Sequence, residues 1–211
     1  VYRCGPDGRV YSQTPCADGR AVTTEDSRSV SQQKAAGEVA ARDAQTEAKE
    51  QFLTAMEQFK GVVAFQGGDL EREYHKLDAT LQESEASAAA VRERIGAVED
   101  VSGALFSEWE TELGQYTSDT LRQASQRRYD ATKHKYAQLL AAMKRAEARL
   151  EPVLVPLRDQ VLFMKHNLNA RAIAGLNEEV VSVQANVDKL VREMESAITQ
   201  ADAFIAQLQA E

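Results

Sequence analysis

From Leu70 to Trp109 the chain sets an apolar or small residue at alternating steps of four and three: Leu70, Tyr74, Leu77, Leu81, Ser84, Ala88, Val91, Ile95, Val98, Ser102, Leu105 and Trp109. None of these positions is charged. A period near 3.5 residues places one stripe on one side of a helix, whereas a strand repeats every second residue. The 4 prolines and 11 glycines are bunched, several of them within the first 20 positions. That leaves long unbroken stretches, which helices tolerate best.

The same rhythm extends to both sides of this segment. Serines at 27, 29 and 31 offer N-caps for a first helix through Ala35, Val39, Phe52, Met56, Phe59 and Val63, ending at Gly67-Gly68. Its first half is alanine-rich and polar, which leaves it free to fray or project as a stalk. Asp69 is placed to cap the second helix, which ends near Gly114. Ser118 is placed to cap a third, with Tyr129, Tyr136, Leu139, Met143, Ala146, Leu150, Val153 and Leu157 on its seam. Pro152 and Pro156 fall inside it and predict a bend, since an interior proline removes a hydrogen bond while the apolar rhythm continues. The segment Asn167-Leu168-Asn169 offers the next stop. Beyond it one row holds Ile173, Val180, Val187, Met194, Ala201 and Leu208, and another Leu176, Val183, Leu190, Ala197 and Phe204. Five heptads of this kind are coiled-coil-like.

Short connections between helices of similar length predict an all-α fold, an elongated antiparallel four-helix, coiled-coil-like bundle over residues 29–211. A longer three-helix coiled coil with the first helix detached is the alternative. The expected core includes Leu77, Leu81, Val91, Ile95, Leu105, Trp109, Leu139, Met143, Leu150, Val183, Leu190 and Phe204.

Residues 1–28 have a different character. Gly5-Pro6-Asp7-Gly8 is a turn signal between two β-prone runs, Val1-Tyr2-Arg3 and Arg9-Val10-Tyr11-Ser12, and predicts a small hairpin. Cys4 and Cys16 are the only cysteines. Free thiols or half of a zinc site are open alternatives, but His75, His134 and His166 lie far off on predicted helices. A disulfide is favoured, closing the module and implying an oxidising compartment. The pattern Tyr2-Arg3-Cys4, Asp7-Gly8, Tyr11-Ser12 and Pro15-Cys16 resembles the start of a small bacterial envelope module, domain of unknown function 4124. The chain begins at Val1, as a mature or trimmed form with a removed export signal would.

The formal net charge of −8 opposes binding to phosphate backbones or anionic lipid, and no nucleic-acid partner is expected. Arg122, Arg127, Arg128, Lys133 and Lys135 form the one candidate basic stripe. Apolar runs are short, far below the roughly 20 residues that span a bilayer.

Chemistry-bearing constellations are few. A di-iron bundle carries Glu-x-x-His on two helices, but Arg72, Ala131 and Phe163 stand three residues before the histidines. His75 with Glu71, and His134 with Asp130, are four-apart pairs that read as surface ion pairs. Ser31 and Lys34 have a nucleophile–base spacing without the accompanying motifs. Glu108 and Glu110 diverge around Trp109. No catalytic residue, cofactor or metal is expected, and the protein is not read as an enzyme.

One segment admits two readings, a thick local core helped by a bend at Pro156 or a contact site. Val161-Leu162-Phe163-Met164 points around all sides of a helix, since each residue turns about 100°. Either other helices wrap this end, or Leu162 and Phe163 stand exposed as a self-association or partner site. The candidate tip is Arg158, Leu162, Phe163, Lys165, His166, Asn167, Asn169 and Arg171, with Arg158, Lys165 and Arg171 as a basic rim.

A resemblance rests on Glu50-Gln51-Phe52, Gly67-Gly68-Asp69-Leu70, Ala97-Val98-Glu99-Asp100-Val101, Leu105-Phe106-Ser107-Glu108-Trp109-Glu110, and the run from Arg158 to Ala170. Over about residues 43–209 the chain resembles the bacterial envelope family named domain of unknown function 2959. That resemblance implies a lipoprotein with coiled-coil content and no assigned biochemical role. Cys4 is not the first residue, and Val1-Tyr2-Arg3 is not a small-residue lipobox, which puts a lipid anchor in question. The expectation is a non-catalytic structural or adaptor protein of the bacterial cell envelope or periplasm, acting on a protein partner or on itself through its helical faces. A membrane-surface bundle that senses or shapes lipid is the alternative.

Overall fold

The computed structural model describes residues 2–4, 10–12, 20–21, 30–65, 67, 69–169, 173 and 175–210, with side chains from residue 36 to residue 207 within those ranges. It divides into two units, Val1–Gln33 and Lys34–Glu211, so the division falls slightly later than the change in composition.

In the first unit, strands β1 (Tyr2–Cys4), β2 (Val10–Ser12) and β3 (Arg20–Ala21) form an antiparallel sheet in the order β2-β1-β3. Arg3 stands opposite Tyr11 on one side and Arg20 on the other. The β1–β2 pairing is the expected hairpin; the third strand, only two residues long, carried no signal of its own. Cys4 ends β1, while Cys16 lies outside the described residues, and so does the pairing of the two.

The second unit is helical. The helices are α1 (Val30–Val63, begun in the first unit), α2 (Leu70–Leu113), α3 (Asp119–Glu147), α4 (Leu150–His166) and α5 (Asn177–Ala210). The 44 residues of α2 make a rod of about 65 Å. Its ends are set locally. Asp69 accepts a hydrogen bond from the Arg72 amide at 3.0 Å, Gly114 follows the last turn, and Ser118 caps α3 through the Leu121 amide. Gly67, between α1 and α2, has φ 151°, a conformation open to glycine alone at little cost.

Polar links between helices fix the packing order. α1 joins α2 through Gln51 and Glu83 (2.6 Å), and α5 through Arg42–Asp202 (2.9 Å) and Lys49–Glu195 (3.7 Å). α2 joins α3 through Lys144–Glu99, and α4 through Arg92–Glu151, each at 2.7 Å. α5 meets α3 at Lys135–Gln207 (2.9 Å) and α4 where Asn186 donates to the Pro152 carbonyl (3.2 Å). Residue numbers rise along one helix as they fall along its neighbour, and for α1 with α2 Gly37 lies against Val98 while Gln51 meets Glu83. The unit is therefore an antiparallel bundle in which α3 and α4 together form one of four rods.

Two expectations are corrected. The alanine-rich half of α1 neither frays nor projects over its described side chains: Ala41 and Ala48 are fully buried, on a row that also carries Glu38 and Gln45, while Val39 is only half-buried. The third helix is divided at Ala148–Arg149, both of which keep right-handed helical angles. Pro152 explains the site of division, because it has no N–H for the Ala148 carbonyl and its ring crowds that carbonyl. The seam nevertheless runs through, with Ala146, Leu150, Val153 and Leu157 all buried. The stop and cap at Asn167–Asn169 agree with the structure: α4 ends at His166, and beyond it the Ile173 amide donates to the Asn169 carbonyl at 3.2 Å, ahead of α5.

Ten of the twelve expected core residues are buried, and the exceptions share a cause. Leu105 and Trp109 are half-buried, whereas Phe106 and Leu113 are buried. After Val98 and Ser102 the seam takes a second step of four to Phe106. This stutter shifts the buried stripe by one residue. Phe106 then meets Tyr129 and Tyr136 edge-on, each with ring centroids 5.7 Å away, and Tyr136 meets Phe204 at 5.9 Å.

Candidate functional site

α4 carries apolar residues on more than one side. Leu150, Val153, Leu154, Leu157, Val161 and Met164 are buried against the bundle. On the other side Val155 is 48% exposed, Leu162 58% and Phe163 41%. Of the run Val161 to Met164, the two ends are core and the two middle residues face outward, as the 100° step requires.

The outward residues form a second row with its own rhythm. Pro152, Val155, Asp159, Leu162 and His166 follow one another at steps of three and four, and all five are exposed. A helix with one such row has one face to bury; α4 has two. Among the described residues Asp159 and His166 enter no ion pair, and Lys165 beside His166 is also exposed.

The prolines position this face. Pro152 stands in the first turn of α4, where a missing N–H costs little. Pro156 lies inside the helix, so its absent N–H leaves the Pro152 carbonyl without its usual donor. Asn186 of α5 supplies one instead. The far end is closed by Asn167, whose side-chain amide donates to the Phe163 carbonyl at 2.9 Å. Lys165 and His166 in the last turn suit the negative end of the helix dipole.

Arg158 does not belong to a free basic rim. Its guanidinium is held by Glu85 of α2 and by Glu151 at 3.1 Å, and Glu151 also pairs with Arg92. Arg92 first, and Arg158 with it, hold the Glu151 carboxyl below the ordinary carboxylate range. Glu85 chiefly raises the Arg158 guanidinium. This four-residue network joins α2 to α4 and went unread in the sequence, because its members meet only once the helical register is known. Arg171 lies outside the described residues. Asn169 and Leu168 are exposed just beyond the helix, and Ile173 is buried.

Elsewhere the polar groups are spent locally. His75 pairs with Glu71 at 3.8 Å, as its spacing predicted. His134 contacts Gln138 at 3.1 Å, while Asp130 accepts from Gln126. Along the α3 basic stripe, Arg122 pairs with Asp119, Lys133 lies over the Tyr129 ring, and Lys135 donates to Gln207. Trp109 donates through Nε1 to Ser125 at 2.9 Å, which leaves Glu108 and Glu110 on the surface. No group of three or more metal-ligating side chains gathers among the described residues. None of the described helices is long and apolar enough to cross a membrane.

Residues 35–208 match a protein-family model whose description is "Protein of unknown function (DUF2959)". No curated protein matches the chain.

Proposed function

The chain belongs to the DUF2959 family, and we propose that it is a non-catalytic structural or adaptor protein of the bacterial cell envelope, working by protein–protein contact through the outward face of α4. One observation carries the reading. Leu162 and Phe163 stand exposed on a helix whose opposite face is fully buried. Exposed apolar side chains arranged in a row on a rigid helix are what a helix-on-helix interface uses. The rest of the bundle supplies length and stiffness, with ion pairs and hydrogen bonds linking its helices.

Export and the Cys4–Cys16 disulfide belong to the same proposal, as does the likeness of the first 20 residues to domain of unknown function 4124. Their support is the turn-rich spacing of the only two cysteines in the chain. Intact mass measured before and after reduction should rise by two hydrogens; two alkylatable thiols in unreduced protein would remove that part.

The contact face is tested by Leu162→Glu with Phe163→Glu in one chain. Both side chains already meet water, so helical signal and melting midpoint should hold while crosslinked partners from envelope extracts disappear. A drop of several kcal/mol in stability would instead make them core, as buried charge demands. Cosedimentation of the wild type with anionic vesicles, lost in the same variant, would favour the lipid-surface reading.

A further inference from the structure

We infer that the outward face of α4 binds a second copy of itself, antiparallel, about a two-fold axis passing close to Leu162 and Phe163. The inference rests on the reading of this face as a protein contact and names its partner. The steps of three and four through Val155, Asp159, Leu162 and His166 are the spacing a facing helix reads. What faces that row must be apolar at its centre and must answer the Asp159 carboxylate, an acid set between two exposed apolar residues.

The face itself holds the answer. Lys165 and His166 stand on the far side of Leu162 and Phe163 from Asp159, all of them exposed. A two-fold axis between the apolar pair brings each Asp159 to the Lys165–His166 end of the other copy, twice over. In a closed symmetric dimer the same patch serves both partners, so a patch must contain both halves of every pair it makes. This one does. A partner of different sequence would have to supply a cation for Asp159 and an acceptor for Lys165 in that same order, which a second copy supplies by symmetry. Arg158 takes no part, since Glu85 and Glu151 already hold it. The overlap is about two helical turns, a small interface, so the dimer is weak and concentration-dependent.

Sedimentation velocity of the full chain over a concentration series tests this. The wild type should pass from monomer to dimer. Asp159→Lys, which sets lysine against lysine across the axis, should weaken dimerisation about tenfold or more. Asp159→Lys combined with Lys165→Asp should restore it, because the pair is re-formed with its signs exchanged. Leu162→Glu with Phe163→Glu should leave a monomer. Failure of the exchanged pair to recover, or a dimer that survives the Leu162 and Phe163 changes, overturns the proposed contact. A wild type that stays monomeric at every concentration overturns self-association alone if envelope partners are still lost in the Leu162 and Phe163 variant. It overturns the contact face as well if they are not.

Discussion

Gln45 is fully buried in the seam of α1, and neither its amide oxygen nor its nitrogen has a hydrogen-bond partner among the described residues. A buried amide left unpaired costs about 1–3 kcal/mol. Gln45→Met keeps the unbranched shape of the side chain and removes that cost, so urea unfolding should show a gain within that range. A loss would mean that the amide is paired after all. Tyr136 is the opposite case. Its hydroxyl donates to the Val98 carbonyl at 2.5 Å from a buried position. Burial raises the phenol above its ordinary value, with Glu38 and Glu99 adding to the rise and the Ser102 hydroxyl opposing it. Stability tied to the protonated phenol is therefore complete below the unfolded-state value near pH 10 and falls as pH climbs toward the folded-state value. Tyr136→Phe keeps the ring contacts and should cost about 1 kcal/mol at neutral pH. It should also flatten the loss of stability above pH 10, which denaturant titrations from pH 8 to 11 would measure.

Elements were legible in the sequence where one rule governed them. The caps at Asp69 and Ser118, the seams of α2 and α5, and the stop near Gly114 follow from spacing and residue type alone. Leu105 fell off the core, and Trp109 packs only at its edge, because a stutter is invisible until a partner helix defines which side is in. Glu38 and Gln45 were passed over for a related reason: no propensity rule puts polar residues on a core row, and α1 buries them because the alanines between them do. At the contact face, Leu162 and Phe163 were readable from four apolar residues in succession. Val155 and Asp159 were not, since a second outward row has meaning only after the first has been assigned to the core. The division of the third rod turns on Pro152, and its repair on Asn186, a residue with no sequence signal at all. Asn186→Ala should leave the Pro152 carbonyl without its side-chain donor and cost about 1 kcal/mol. Unfolding midpoints check the magnitude. An unchanged midpoint would mean that water serves the carbonyl equally well.

In the helical unit as a whole, α1 and the α3–α4 rod each lie between α2 and α5, and the described first half of α1 has little apolar surface to offer. Its core row begins with Glu38, Ala41, Gln45 and Ala48 and turns to Phe52, Met56 and Phe59 only in its second half, all of them buried. The side chains that hold it to α5, Arg42 and Lys49, make partly exposed ion pairs that contribute little each. The attachment of α1 therefore depends on its second half, where Phe52, Met56, Phe59, Val62 and Val63 are buried. Phe52→Ala should cost about 3–5 kcal/mol, the range for emptying a buried aromatic site. Because α1 covers the facing sides of both α2 and α5, its release would expose their buried residues to water. The variant should accordingly unfold in a single transition at lower denaturant, with amides of α1, α2 and α5 losing hydrogen-exchange protection together. If α1 amides alone became exchangeable while those of α2 and α5 kept their protection, the remaining rods would be a self-sufficient three-helix coiled coil, and the four-rod bundle would not be the cooperative unit.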